Sequence, residues 1–315
     1  MFNFLKKIFS IFLIFNLTFV SSAQAAATFD NINGDGTGLD VSAKTASVQG
    51  IAFNNDGTKM FLSDKNDDDI DAYTLSTGFD LSTATYVNSV DISDQASSPA
   101  GIAFNNDGTK IFVVNNGIRG GNAKDEVLEY TLSVGFDLTS TVTFVESASG
   151  GNGFSVQNKE SSLRDITFNN DGTKMFVVGT SGDEINVYTL STGFDLTSTV
   201  SHVVEFDISD QEAAAMGVAF NNDGTKMFVS GTAGDDVNEY TLSVGFDLTS
   251  TVTFVDSFDI SGQDTNPRSL TFNNTGSKMF VVSSVDREIN SYTLFCPFAV
   301  TNSSKCEEPT QDKDV

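Results

Sequence analysis

Tryptophan is absent, histidine occurs once, and the chain has two cysteines and four prolines in 315 residues. Each shortage removes a class of chemistry. A Ser-His-Asp arrangement would have to use His202, which falls in a β-rich stretch with no nucleophile motif around it. One histidine and two cysteines cannot make a structural zinc site. No G-x-S-x-G, H-E-x-x-H or P-loop phrase occurs. Cations are scarce as well: 17 Lys and Arg stand against 42 Asp and Glu, a net charge of −25. Such a surface repels phosphate backbones and anionic headgroups, which excludes nucleic acid and membrane surfaces as partners.

Long apolar runs are limited to Ile8–Val20, near the start. That run is shorter than the roughly 20 residues a membrane helix needs. Lys6 and Lys7 precede it and Ala23-Gln24-Ala25 follows it. A basic n-region, an apolar h-region and an A-x-A site describe a signal peptide over residues 1–25. The expectation is therefore a periplasmic or secreted protein, with no membrane insertion after cleavage. In that oxidising setting Cys296 and Cys306 are expected to form a local disulfide in a C-terminal tail, residues 296–315.

What the chain has in quantity is repetition. The phrase F-N-N-D-G-T-K starts at Phe53, Phe104, Phe168 and Phe220, and returns as F-N-N-T-G-S-K at Phe272. The intervals are 51, 64, 52 and 52 residues. Between these phrases lie short β-branched and aromatic runs broken by Asp-Gly, Gly-Asp and Gly-Phe-Asp-Leu turns. Each repeat thus reads as four antiparallel strands, the content of a propeller blade. Phenylalanine, 28 in all, recurs at fixed places such as Phe53, Phe61 and Phe79, which fits packing between blades. The fifth repeat yields only three strands before Cys296, while Leu39-Asp40-Val41-Ser42 matches the end of a fourth strand elsewhere. The fold expected over residues 26–295 is an all-β, five-bladed propeller closed by an N-terminal strand.

The segment Gly50–Leu62 (G-I-A-F-N-N-D-G-T-K-M-F-L), followed by Ile70–Leu75 (I-D-A-Y-T-L), resembles the YVTN-type, lactonase-like β-propeller repeat. The resemblance runs through nearly all of Gly50–Leu294. It departs in Asn-Asn, where that repeat usually has Ser-Pro, and in the recurrent G-F-D-L. It implies the propeller fold, and a family that holds both lactonase-like and binding proteins.

Propeller turns divide between two faces. Turns between strands one and two, and three and four, scarcely vary here. Those between strands two and three, and from blade to blade, vary in length and sequence. Two insertions fall in the variable set: Asn115–Asp125, and Ser147–Arg164, read as the connection into the third blade. Loops on a rigid scaffold commonly carry function. The ligand-binding face is therefore expected from Asn115, Arg119, Lys124, Asp125, Asn152, Phe154, Gln157, Arg164, Asp165 and Arg268. At the channel mouth the blades offer Gln49, Ala100, Arg164, Met216 and Arg268, where two arginines could hold an anionic group.

Two cation sites come into question. Acidic pairs recur in the second-to-third-strand turns, and Asp in such turns usually caps its own backbone. Asn31, Asn33, Asp35 and Asp40 have part of a calcium-loop spacing, so Ca²⁺ is the one cofactor considered. No catalytic residues stand out. The functional expectation is a non-catalytic binding propeller for a protein or glycan. The alternatives are a lactonase-like metal-dependent hydrolase and a structural or adhesive surface protein.

Overall fold

The computed structural model describes residues 27–32, 36–119, 122–147 and 153–300. β1 (Ala27–Phe29) and β2 (Leu39–Asp40) come first. Blade one is β3 (Val48–Phe53), β4 (Lys59–Asp64), β5 (Asp69–Leu75) and β6 (Ala84–Asp91). Blade two is β7 (Pro99–Phe104), β8 (Lys110–Arg119), β9 (Asn122–Leu132), β10 (Val142–Val145) and β11 (Phe154–Ser155). Blade three is β12 (Leu163–Phe168), β13 (Lys174–Gly179), β14 (Glu184–Leu190) and β15 (Val200–Asp207). Blade four is β16 (Ala215–Phe220), β17 (Lys226–Gly231), β18 (Asp236–Leu242) and β19 (Val252–Asp259). Blade five is β20 (Pro267–Phe272), β21 (Lys278–Ser283) and β22 (Glu288–Leu294), completed by β1 and β2 on β22. Every pairing is antiparallel, and each inner strand packs on the inner strands of both neighbouring blades, with β20 returning to β3. The chain is a closed five-bladed propeller.

The second strand of each blade reads as a continuous apolar run because it is covered on both faces. In β4, β13, β17 and β21 all residues after the leading lysine are buried. The outer strands β6 and β15 alternate instead, with one side exposed. Five hydrophobic clusters fill the five gaps between blades. In each gap a second-strand phenylalanine meets a first-strand phenylalanine of the neighbour: Phe61–Phe104, Phe112–Phe168, Phe176–Phe220, Phe228–Phe272 and Phe280–Phe53, with centroids 4.6 to 4.8 Å apart. The last pair joins blade five to blade one. A pair of this kind contributes about 0.5–1.5 kcal/mol beyond its area.

The invariant turns have a shared cause. Gly172 has φ +70°, and a Cβ there would lie 2.2 Å from the Phe194 ring. Phe194 is itself left-handed, at φ 55°. The glycine of N-D-G and the phenylalanine of G-F-D-L therefore require each other. Blade five builds the same lock from Cys296-Pro297-Phe298, with Phe298 over Gly276. Val300 then enters the core at 0% exposure, so the repeat runs on past residue 295. Cys306 lies outside the described residues.

One expectation needs correction. Ser147–Arg164 is not wholly a connection between blades. β10 ends opposite Glu129, and β11 resumes the same outer strand, with Phe154 opposite Val127 and Ser155 opposite Glu126. The outer edge of blade two is thus made in two pieces, β10 and β11, on either side of residues 146–153. From Val156 onward the chain follows the other blades, with Val156 N–H donating to Asp125 O as Ile208 N–H does to Asp183 O. Blade five has the same split, with residues 30–38 between β1 and β2. The other insertion, Asn115–Asp125, is an extension of the β8–β9 hairpin, paired out to Arg119 and Asn122.

Candidate ligand site at the channel mouth

Each inner strand begins with a register shift against its neighbour, at Val48/Gly50, Pro99/Ile102, Leu163/Asp165, Ala215/Gly217 and Pro267/Leu270. A bulge of this kind re-aims the side chain it displaces. The displaced residues include Gln49, Ala100, Arg164, Met216 and Arg268, the set expected at the mouth. Gln49, Ala100 and Met216 are buried there, while Arg164 and Arg268 are partly exposed. Arg268 donates through Nη1 to Met216 Sδ at 3.2 Å and through Nε to Ser284 Oγ at 3.0 Å. Arg164 donates through Nη2 to Ser162 Oγ at 3.1 Å, and its buried Nε has no partner.

The electrostatics show what surrounds them. Burial lowers the pKa of Arg268, and the charge of Arg164 lowers it further, with Asp264 opposing. Burial also lowers that of Arg164, against Glu160 and Asp125. Lys65, at the end of the second strand of blade one, is lowered by burial and then by both arginines. Blades one, three and five thus each bring a cation to one mouth. Among the described residues none of the three lies within ion-pair distance of a carboxylate. The repeat lysines are not available to this site. Lys59, Lys110, Lys174 and Lys226 reach the carbonyls of Phe136, Phe194, Phe246 and Phe298, at 2.6 to 2.8 Å, and tie blades together.

The remaining candidates divide. Asp165, next to Arg164, is 2% exposed and lies on the axis, where the other blades have Gly50, Gly101, Gly217 and Ser269. Its Oδ2 accepts from Val218 N–H at 3.2 Å and Ser269 Oγ at 3.1 Å, so it touches two further blades. Asp125 accepts from Leu163 N–H at 3.1 Å and is raised by burial. Asn115 caps the connection into its blade, accepting from Ser97 and Ser98 N–H at 3.1 and 3.2 Å. Glu160 and Glu212 do the same duty from the connection itself, over Gly179 and Gly231. Asn115 is therefore a structural cap. Phe154 sits on the outer strand, edge-on to Tyr188 at 5.4 Å, and Gln157 is exposed beyond it. Arg119 and Lys124 stand in the hairpin, opposite Asn122 and Gly117. Asn152 lies outside the described residues. The structure thus brings together Arg164, Asp165 and Arg268, and adds Lys65. The sequence reading passed over Lys65 because it stands in the acid run Asp64–Asp69; its signal was being the one base there.

Of the calcium candidates, Asn33 and Asp35 lie outside the described residues. Asn31 Oδ1 accepts from Gly36 N–H at 3.0 Å, and Asp40 Oδ1 accepts from Ser42 N–H at 2.8 Å. Asp91, Asp207 and Asp259 make the same cap with Ser93, Ser209 and Ser261, so Asp40 belongs to the repeat. The turn acids are structural in the same sense: Asp68, Asp183 and Asp235 occupy left-handed positions at φ 50 to 54°. The described carboxylates best placed to share an ion are Asp64, Asp69 and Asp71, with one oxygen of each within 4.8 Å of the others. Burial pushes Asp69 up to about 6 and Asp71 to about 7. Asp64 is already engaged, accepting from Ala46, Ser47 and Asn66 N–H.

A family model described as lactonase, 7-bladed beta-propeller, matches residues 154–295. A search of the curated proteins returned no match. Among solved structures the chain is similar to a putative 6-phosphogluconolactonase from Bacteroides fragilis, at 13% identity and TM-score 0.49, covering 78% of this chain and 79% of that one. It is similar to a periplasmic gluconolactonase from Pseudomonas aeruginosa, at 14% and 0.46, covering 78% and 65%. It is also similar to a functionally unknown protein from Desulfotomaculum acetoxidans, at 14% and 0.46, covering 76% of this chain and 63%, less than two thirds, of that one. The family match is to a lactonase-type β-propeller over less than half of the chain, and the chain itself closes with five blades.

Proposed function

We propose that this chain is an exported, non-catalytic binding propeller whose ligand is a glycan bearing carboxylate groups, held at the mouth formed by Lys65, Arg164 and Arg268. One observation carries the reading. In a protein of net charge −25, three cations converge at one end of the axis with no carboxylate of the described residues within ion-pair distance. Holding like charges together costs stability, and a bound anion offsets that cost. Guanidinium groups suit carboxylates through paired hydrogen bonds, and Ser162, Ser284 and Gln49 add neutral groups suited to hydroxyls.

Calorimetric titration with oligogalacturonate, with the neutral galactose oligomer as control, tests it. Binding is expected for the acidic sugar alone and should weaken with salt. Losing both arginines removes about 1.5–3 kcal/mol per charged hydrogen bond, so Arg164→Ala with Arg268→Ala should weaken binding at least 100-fold. Equal affinity for the neutral sugar, or an unchanged constant in the double variant, would sink the reading.

A second reading, lactone hydrolysis, is favoured by the match to the lactonase family over residues 154–295. Asp64, Asp69 and Asp71 offer the oxygen donors a hard cation takes, and would hold it. Turnover of gluconolactone that depends on added calcium or manganese and vanishes in Asp71→Asn would establish this reading over the first.

A further inference from the structure

Behind the cationic mouth, on the other side of Asp165, the axis opens into a cavity of about 280 Å³. We propose that this cavity is a second binding site, and that it takes a small monovalent cation. The inference does not rest on the anion site.

The cavity is built by the C-terminal halves of the inner strands. Its floor is Asp165 and Ser269, its walls include Thr167 and Thr271, and no lysine or arginine lines it. Seven phenylalanines contribute to the lining. Its rim is a hydrogen-bonded belt. Asn55 donates through Nδ2 to Asn106 O, Asn106 to Asn170 O, and Asn170 to Asn222 O, each at 2.8 Å. Asn222 donates to Asn274 O at 2.8 Å, and Asn274 closes the circle onto Asn55 O. Each carboxamide therefore spends one N–H on the next blade. Its oxygen is left over, and Asn106, Asn170, Asn222 and Asn274 all line the cavity. The compartment thus has a carboxylate at its base, acceptor oxygens at its rim and no positive charge.

Asp165 supplies the second argument. Three other blades place glycine at its position, and a Cβ on Gly101 would fall 2.2 Å from Asp165 Oδ1. The carboxylate occupies room that the neighbours leave empty. It is fully buried, its hydrogen-bond donors are all neutral, and burial pushes it up to about 7. A buried carboxylate is ordinarily matched by a cation or a proton. Here the only charged group among the described residues that line the cavity faces a half-open space large enough for an ion with its water, or for a short ammonium group. One carboxylate suits a single charge, since calcium takes several. The phenylalanines of the lining are aromatic groups that attract an ammonium group.

Thermal melts of the full chain at constant ionic strength test this, with tetrapropylammonium chloride as the bulky reference salt and potassium or methylammonium chloride as the arms. A ligand of the folded state raises Tm with concentration. A rise of several degrees in one arm, absent in Asp165→Asn, is expected; the arm that responds tells an alkali ion from an amine. Asparagine keeps the shape and the acceptor for Val218 N–H, and its melt in the reference salt reports whether it folds. Should it not fold, crystals of the unaltered protein soaked in rubidium or bromoethylammonium chloride give an independent readout by anomalous scattering. Density beside Asp165 supports the site. Equal Tm in all salts, an equal rise in Asp165→Asn, or a cavity holding water alone under both soaks overturns it.

Discussion

At one end of the axis all five blades contribute asparagine, and at the other they contribute glutamine, alanine, arginine, methionine and arginine. The contrast follows from what each position must do. In the belt every Asn55-type carboxamide reaches the next blade's carbonyl, so one exception breaks a circle. At the bulged mouth no such circle forms; among the described residues Arg268 reaches Met216 and the side chains are otherwise not tied to one another, so each blade is free to present a different group. Repetition marks where the ring is held, and departure from it marks the site proposed for a ligand.

The largest test of that contrast is pH. The buried acids on the variable side are raised by burial, Asp69, Asp236 and Asp264 to about 6 and Asp71 to about 7, whereas its exposed serine caps Asp91, Asp207 and Asp259 are lowered. Those of the invariant turns, Asp56, Asp107, Asp171 and Asp223, are lowered, chiefly by their threonine hydroxyls. A raised acid binds more protons folded than unfolded between its two values, so stability is present below the unfolded value near 3.8 and lost as pH rises through 6 to 7. The lowered acids are exposed, work the other way, and matter only at strongly acid pH. Melts should therefore be higher near about pH 5 than about pH 7.5, and Asp71→Asn should flatten the difference. A melt that rises steadily toward neutrality would reverse the assignment.

Next in size is a pair of glycines. Gly172→Ala forces a left-handed alanine into the Phe194 ring and should cost about 3 kcal/mol in denaturant unfolding. Gly262, on the variable side, has nothing within 4 Å, so Gly262→Ala should change stability by no more than about 0.5 kcal/mol. Equal costs would erase the distinction. Smallest is Asn170→Ala, which removes one exposed belt bond and should cost about 1 kcal/mol while leaving anion binding unaltered.

The sequence reading reached the blade count and the closure because both rest on local chemistry that repeats. Asn-Asp-Gly needs its phenylalanine, and the phrase advertises itself five times. It misplaced Ser147–Arg164 because Phe154-Ser155 does not announce that an outer strand resumes there. It stopped the propeller at residue 295 because Cys296-Pro297-Phe298 shares only the phenylalanine with Gly-Phe-Asp. At the mouth, Arg164, Asp165 and Arg268 were legible as departures from the repeat. Lys65 and the cavity were not, since the first is a matter of which way a turn faces and the second of what glycine leaves empty.

The split outer strand of blade five has a consequence for assembly. Its first-made pieces, Ala27–Phe29 and Leu39–Asp40, wait for their partner Glu288–Leu294, made last. Four blades can form from neighbours in sequence, but the fifth must join segments some 250 residues apart, a slow step. Until then the edge of β22 is open, and the first strand of another molecule fits it as well as its own. Crowded refolding should therefore yield exchanged dimers that trade these two short strands, while dilution favours the closed ring.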